Sequence, residues 1–265
     1  MTVVLPISHV DAKIAGKLCA WIGEIDRGSY PDHTVVVFVT KLAEQVFDDI
    51  APDLREAFGI VEKVVQPSED ERGWPHSSNT LFRDVAYYIG THPKYVEKPY
   101  YFFEADNTPT RSGWLHDLDA EYLKGGKPYM GYLQPTLYKN NDTGELVEDY
   151  PHMVGTGVYP GDFCYRSNLI RFPYTTPFDI HHYGEIVSDL HPINDLIQHN
   201  WGTLQYKNVK GRIYCSARDY PEHFAKYIKS TALVVHGCKD GSLIDVLREK
   251  ARKIEKRKAL ELQPT

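Results

Sequence analysis

The sequence predicts an α/β domain built on a mostly parallel, Rossmann-like central sheet flanked by helices. Three observations point there. Val3 to Ile7 is a short apolar run closed by a polar loop, Thr34 to Val39 is an almost uninterrupted β-branched run, and the segments between such runs carry apolar residues at helical spacing. A run without alternation of apolar and polar positions marks a strand buried on both faces, as parallel strands are when helices cover both sides of the sheet. Strands and helices in strict alternation predict right-handed crossovers, and the ligands of such sheets gather at the carboxyl ends of the strands.

The first strand, Val3 to Ile7, contains Pro6 and runs into the loop Ser8-His9-Val10. Asp11 is expected to cap a helix with Ile14, Leu18, Trp21, Ile22 and Ile25 along one face. After a turn with Gly28 and Pro31 come the Thr34–Val39 strand, a helix from Leu42 to Phe58 and a third strand from Ile60 to Val65. Ser8, His9, Thr40 and Gln66 then fall at the strand ends that face a ligand. Neither GxGxxG nor GxxxxGK[ST] follows the first strand, which disfavours a dinucleotide site and a P-loop. Gly73-Trp-Pro-His-Ser-Ser-Asn79 is turn-rich and leads into a helix from Thr80 to Ile89, with Asn79 as its N-cap. That helix N-terminus could face phosphates, although capping alone accounts for Asn79.

An aromatic strand from Tyr100 ends in two carboxylates, Glu104 and Asp106. Positions i and i+2 of a strand share a face, so both acids can aim at one point. They repel each other unless a cation or a proton lies between them. A hard divalent ion chelating a diphosphate suits such a pair, and two solvated acids at a strand end would read the same way.

Beyond this strand, Trp114 to Leu123 reads as a helix, Tyr129 to Tyr138 as a strand, and Lys139 to Tyr150 as a polar excursion turning at Asn140–Gly144. Met153 to Pro160 returns as a strand whose Gly155 and Gly157 point to a close backbone approach to a ligand or to a bulge. Pro177 to Glu185 holds the densest ionisable cluster, Asp179, His181, His182 and Glu185. On one helix Asp179 would share a face with His182, and His181 with Glu185. HExxH is absent. A further helix is expected over Leu196–Trp201, with His199 and Asn200 near its end. Ala232 to Lys239 reads as a buried strand ending in His236, a turn at Gly237, and Lys239 as a mobile charge for phosphate. The basic run from Arg248 to Lys258, with Glu249 and Glu255 inside it, reads as a terminal helix whose cations complement its dipole.

With 265 residues, one elaborated domain is the default. A net charge of -6 argues against binding nucleic acid or an anionic membrane with the whole surface. No charged leader precedes a long apolar segment, so a cytoplasmic location is expected. Cys19, Cys164, Cys215 and Cys238 are scattered, which suggests neither a zinc knuckle nor a disulfide framework.

Taken in order, Leu5-Pro-Ile-Ser8, Gly73-Trp-Pro-His-Ser-Ser-Asn79, Glu104-Ala-Asp106 and His236-Gly-Cys-Lys239 resemble the motifs of nucleotide-sugar glycosyltransferases of the GT-A fold. Within that group the chain is most similar to the glycosyltransferases of tailed bacteriophages. The resemblance spans roughly residues 2 to 245 and departs from the family's DxD motif, whose first acid is Glu104 here. It implies a single GT-A-like catalytic domain over 1–246, with a nucleotide-sugar-binding half at 1–110 and an acceptor and catalytic half at 111–246. Residues 247–265 would form a basic C-terminal helix. It implies Mn²⁺ or Mg²⁺ held by Asp106 and His236, with Glu104 beside them, and a nucleoside-diphosphate sugar, a UDP-sugar first, as donor. Pro6, Ser8, His9, Trp74, Asn79, Glu104, Asp106 and Lys239 would contact that donor. Trp114, Gly155 and Gly157 would wall the sugar and acceptor pockets. An inverting reaction needs a carboxylate base, expected at Asp179 with Glu185 or Asp162 behind it. The acceptor would be a hydroxyl: a hydroxymethylated base in phage DNA, reached through the basic helix in the host cytoplasm, or a glycan, protein or small molecule. The alternatives are a sugar nucleotidyltransferase and a non-catalytic binding or scaffold protein keeping the fold.

Overall fold

The computed structural model describes residues 1–68, 72–134, 137–139, 146–148, 151–167, 176–199, 207–209, 212–214 and 228–261. In chain order the first elements are β1 (Thr2–Ile7), α1 (Ala12–Ile25), β2 (Tyr30–Val39), α2 (Val46–Ala57), β3 (Phe58–Val65) and α3 (His76–Thr91). Then come β4 (Tyr100–Phe102), β5 (Thr108–Pro109), α4 (Trp114–Gly125), β6 (Tyr129–Gln134), β7 (Leu137–Lys139), β8 (Leu146–Glu148) and β9 (His152–Tyr159). The short helices α5 (Phe163–Arg166), α6 (Phe178–His181) and α7 (Tyr183–Ser188) follow. The chain continues through β10 (Leu190–Pro192), β11 (Ile197–His199), β12 (Lys207–Val209), β13 (Arg212–Tyr214), β14 (Val234–His236) and α8 (Ser242–Glu261).

Seven strands form the central sheet in the order β10-β6-β9-β4-β1-β2-β3. The pairs β1/β2, β1/β4, β2/β3 and β10/β6 are parallel, and β9 runs antiparallel between β4 and β6. Successive side chains of β1 and β2 serve two different cores. Val3, Leu5, Val35 and Val37 pack under Leu18, Trp21 and Ile22 of α1 and Ile50 and Leu54 of α2. Val4, Val36 and Phe38 face the opposite side, where Phe82, Val85 and Ile89 of α3 cover them. Both faces are dry, which is why the run lacks polar alternation.

A second sheet has the order β11-β14-β5 and brings together distant parts of the chain. Here β14 is antiparallel to β5, with Pro109 opposite Val234 and Thr108 opposite Val235, and parallel to β11. The Leu196–Trp201 expectation is therefore corrected: Ile197–His199 is a strand, because pairing with β14 outweighs the local helical spacing. Helix α3 begins at His76, four residues before the expected start, with Pro75 as its N-cap residue. Asn79 is thus inside the helix, and its side chain donates to the Thr176 carbonyl at 2.8 Å and accepts from the Phe178 N–H at 2.9 Å. Asp11 precedes α1 without a side-chain cap and accepts instead from the hydroxyl and N–H of Ser8. The 178–188 stretch forms two short helices divided at His182 rather than one.

At the C-terminus α8 runs unbroken across residues 246 and 247, and Leu243, Ile244 and Leu247 join the main core. Cys19, Cys164 and Cys238 are buried free thiols. The turn at Asn140–Gly144, Asn200 and Cys215 lie outside the described residues.

Candidate active site

A cavity of about 1010 Å³ opens at the carboxyl ends of β1, β2, β3 and β4. The polar groups on its floor are brought there by backbone topology. After β4 the chain makes a tight turn, with the Asn107 N–H bonded to the Glu104 carbonyl at 3.0 Å, and this turn presents Glu104 and Asp106. The chain then enters β5, whose partner β14 ends at His236, and the Cys238 N–H reaches the Asp106 carbonyl at 3.3 Å. The antiparallel register therefore delivers His236 beside the acid turn. Its Nε2 lies 3.0 Å from Glu104 Oε2 and 3.1 Å from Asp106 Oδ1. Lys239 Nζ binds the other oxygen of Asp106 at 2.7 Å, while most of its side chain stays in solvent.

Burial opposes charge at Asp106, but His236 and then Lys239 outweigh it and hold the carboxyl well below the usual range. The converse holds for His236, where burial is overcome by Asp106 and Glu104 and the imidazole rises to about 10. His199 arrives through the β11/β14 register and sets its ring edge-on to His236, with centroids 4.7 Å apart. Burial, followed by the His236 charge, keeps His199 well below the ordinary histidine value.

Glu104, Asp106 and His236 each offer a ligand atom, all within 4.8 Å of one another. Adjacent ligands of an octahedral ion with bonds of about 2.1 Å sit about 3 Å apart. The separations of Nε2 from the two carboxylate oxygens match that spacing. Two carboxylates and one imidazole also form the oxygen-rich donor set that Mn²⁺ accepts and that Mg²⁺ tolerates. An ion on this face takes the place of the His236 proton, since only the neutral ring ligates. The residues present fit a divalent cation.

Of the expected donor contacts, Pro6, Ser8, His9, Trp74, Asn79, Glu104, Asp106 and Lys239 all line the cavity. So do Asp179 and Gly155. The other expected site residues sit elsewhere. Trp114 is 0% exposed, stacked on Phe103 and hydrogen-bonded through Nε1 to Asp26 at 2.9 Å, so it belongs to the core and does not line this cavity. Gly157 lies within the sheet opposite Gly131 and Phe102, where an added Cβ would press on Met153 and the Met130 carbonyl. Glu185 accepts from Tyr129 Oη at 3.2 Å and Ser167 Oγ at 3.3 Å, away from the cavity. Asp162 pairs with Arg166 at 2.6 Å on the surface. Asp179 is thus the one of the three carboxylates considered for the base that faces the cavity. Burial raises its carboxyl, His152 counteracts this, and Glu104 adds to it.

Among the lining residues to which sequence reasoning gave no site role are the polar Asp11, Gln134, His152 and His199. Asp11 was hidden behind its helix-cap pattern and His199 behind an assumed helix. Gln134 and His152 face each other across the β6/β9 register, and no local motif marks them.

No protein-family model and no curated protein matches the sequence. Solved structures do match in fold. An active-site mutant of LgtC superimposes with a TM-score of 0.53 at 12% identity, over 90% of this chain and 87% of that one. The apo form of the bifunctional glycosyltransferase WbbM gives 0.52 at 10% identity, over 89% of this chain and 45% of that one. This chain thus spans under half the length of WbbM. It has the GT-A fold, with the mixed, mostly parallel sheet and flanking helices those structures share.

Proposed function

We propose that this protein is a metal-dependent glycosyltransferase of the hexosyltransferase type, which moves a sugar from a nucleoside-diphosphate sugar to a hydroxyl acceptor. The observation that carries the proposal is the Glu104/Asp106/His236 cluster on the floor of a cavity of about 1010 Å³. That volume is at the upper end of small-molecule sites, large enough for a donor and an acceptor side by side. Glu104, Asp106 and His236 hold the cation. When bound, Mn²⁺ or Mg²⁺ supplies Lewis-acid stabilisation of the charge that develops on the departing diphosphate. Lys239 adds a second positive charge next to it. Pro6, Ser8, His9, Trp74 and Asn79 line the donor side, and a UDP-sugar is the first donor to test.

Asp179 takes the acceptor proton if transfer inverts the anomeric centre, because its raised carboxyl is a better base than an ordinary surface aspartate. A retaining transfer leaves Asp179 as an acceptor contact only. The acceptor is a hydroxyl compound: a glycan, a small molecule or a hydroxymethylated base. Of the described cations of α8, Arg248 pairs with Glu24 and Lys253 with Glu249, while Lys250 and Arg252 are exposed, and two exposed cations do not single out a duplex acceptor. Among the described residues, no helix is long and apolar enough to cross a membrane.

The test is incubation with a panel of sugar nucleotides, with and without Mn²⁺. Metal-dependent release of free nucleoside diphosphate is the expected result. Release of pyrophosphate would identify a nucleotidyltransferase instead, and the absence of any donor-induced thermal shift would leave a non-catalytic scaffold.

A further inference from the structure

The middle residue of Gly155-Thr156-Gly157 is 0% exposed and does not line the cavity. Its hydroxyl donates to the Phe102 carbonyl at 3.0 Å and accepts from Asn107 Nδ2 at 2.9 Å. The same amide nitrogen donates to the Glu104 carbonyl at 2.9 Å. Phe102 is the last residue of β4, and Asn107 directly follows Asp106. Thr156 and Asn107 therefore bracket the turn that carries both carboxylates, one hydrogen bond where β4 leaves the sheet and two where the chain heads for β5.

The flanking glycines suit this arrangement. A Cβ at Gly155 would strike the Phe178 ring at 2.8 Å, and one at Gly157 would meet Met153 at 3.0 Å and the Met130 carbonyl at 3.2 Å. Bare backbone on both sides lets β9 lie close to its neighbours, with the Thr156 hydroxyl directed at the acid turn.

We infer that Thr156 and Asn107 are positioning residues that hold the Glu104–Asp106 turn in register with His236. The physical reason is that the metal needs three ligand atoms about 3 Å apart, whereas a turn anchored only by β4 and the two pairs of β5 could drift by more than that tolerance. Buried hydrogen bonds at both ends of the turn remove the drift. This inference rests on the metal-dependent reading of the site.

The test compares wild type, Thr156→Val and Thr156→Ser in the full chain, reading Mn²⁺ affinity by calorimetry and the Tm of the metal-free protein. Valine keeps the shape and loses both hydrogen bonds, and serine keeps the hydroxyl. The expected result is a roughly 10- to 100-fold loss of Mn²⁺ affinity for Thr156→Val and near-wild-type affinity for Thr156→Ser. A Thr156→Val protein with a lowered Tm but wild-type Mn²⁺ affinity would reduce Thr156 to a structural residue and overturn the inference alone. Failure of the wild type to bind Mn²⁺ would overturn the metal-dependent reading together with it. Should Thr156→Val not fold, Asn107→Ala carries the same comparison: at least about 10-fold weaker binding supports the inference, and unchanged binding overturns it.

Discussion

The β1-β2-β3 end of the central sheet and the small β11-β14-β5 sheet meet at the same cavity but are held together differently. The first pairs along whole strands joined by short crossover helices, with both faces in separate cores. The second consists of two- and three-residue strands from segments far apart in the chain, joined by Thr108 and Pro109 against Val234 and Val235. One region is stable through local pattern, and the other depends on long-range register. The candidate metal ligands Glu104, Asp106 and His236 lie at the join of the two, so their geometry is expected to be more sensitive to the second region than to the first.

The most severe change tests the join itself. Asp106→Ala is expected to lower Mn²⁺ affinity and donor turnover by at least about 100-fold, since it removes a ligand as well as the anchor of Lys239. Calorimetry and nucleotide release measure it, and circular dichroism should show the fold intact.

Leu18 in α1 and Leu233 beside β14 are both 0% exposed. Truncating either to alanine is expected to cost about 2–5 kcal/mol in urea unfolding. Only Leu233→Ala should also weaken Mn²⁺ binding, because it loosens the strand that carries His236. Equal Mn²⁺ affinities in the two folded variants would break the contrast between the regions.

A third prediction concerns pH. Burial, and then the charge of His181, pushes the His182 imidazole down from 6.5 to about 4. Between those values the unfolded chain binds a proton that the folded chain refuses. The stability is therefore full above pH 6.5 and falls as pH drops towards 4, by up to roughly 3 kcal/mol. His182→Leu should flatten that part of the stability curve, as read by thermal melts at stepped pH. A curve as steep as that of the wild type would assign the acid sensitivity to other groups.

The smallest effect is at the far side of the first region. Arg248 of α8 pairs with Glu24 at 2.7 Å and lies over the Trp21 ring at 5.8 Å. Arg248→Ala should cost about 1 kcal/mol and leave Mn²⁺ binding unchanged. Duplex DNA binding is best tested by truncation after Ile254, since a cut at Leu247 would remove a core side chain.

Legibility followed the same division. The strands around Val4 and Val36 were readable because burial on both faces leaves an apolar run that needs no partner to be seen. Glu104, Asp106, His236 and Lys239 were readable as strand-end residues, and the donor-side loops as the carboxyl ends of parallel strands. Trp114 was expected at a pocket wall only through the resemblance, and no local pattern shows that the buried carboxylate of Asp26, just after α1, gives its indole N–H a partner inside the core. Ile197–His199 was misread because three residues carry too little periodicity to separate strand from helix.

By itself, then, the sequence determined the parallel sheet, the side on which the cavity opens and the acid pair at the end of β4. These depend on burial and strand direction, which a few consecutive residues record. The resemblance added the expectation of His236 beside that pair, and the tertiary structure decided the register that brings it there, that Asp179 faces the cavity while Glu185 and Asp162 do not, and that the Thr156 hydroxyl bonds to Phe102 and Asn107 on either side of the acid turn. Such convergence is set by register between segments far apart in the chain, and register is chosen by the packing of the whole core.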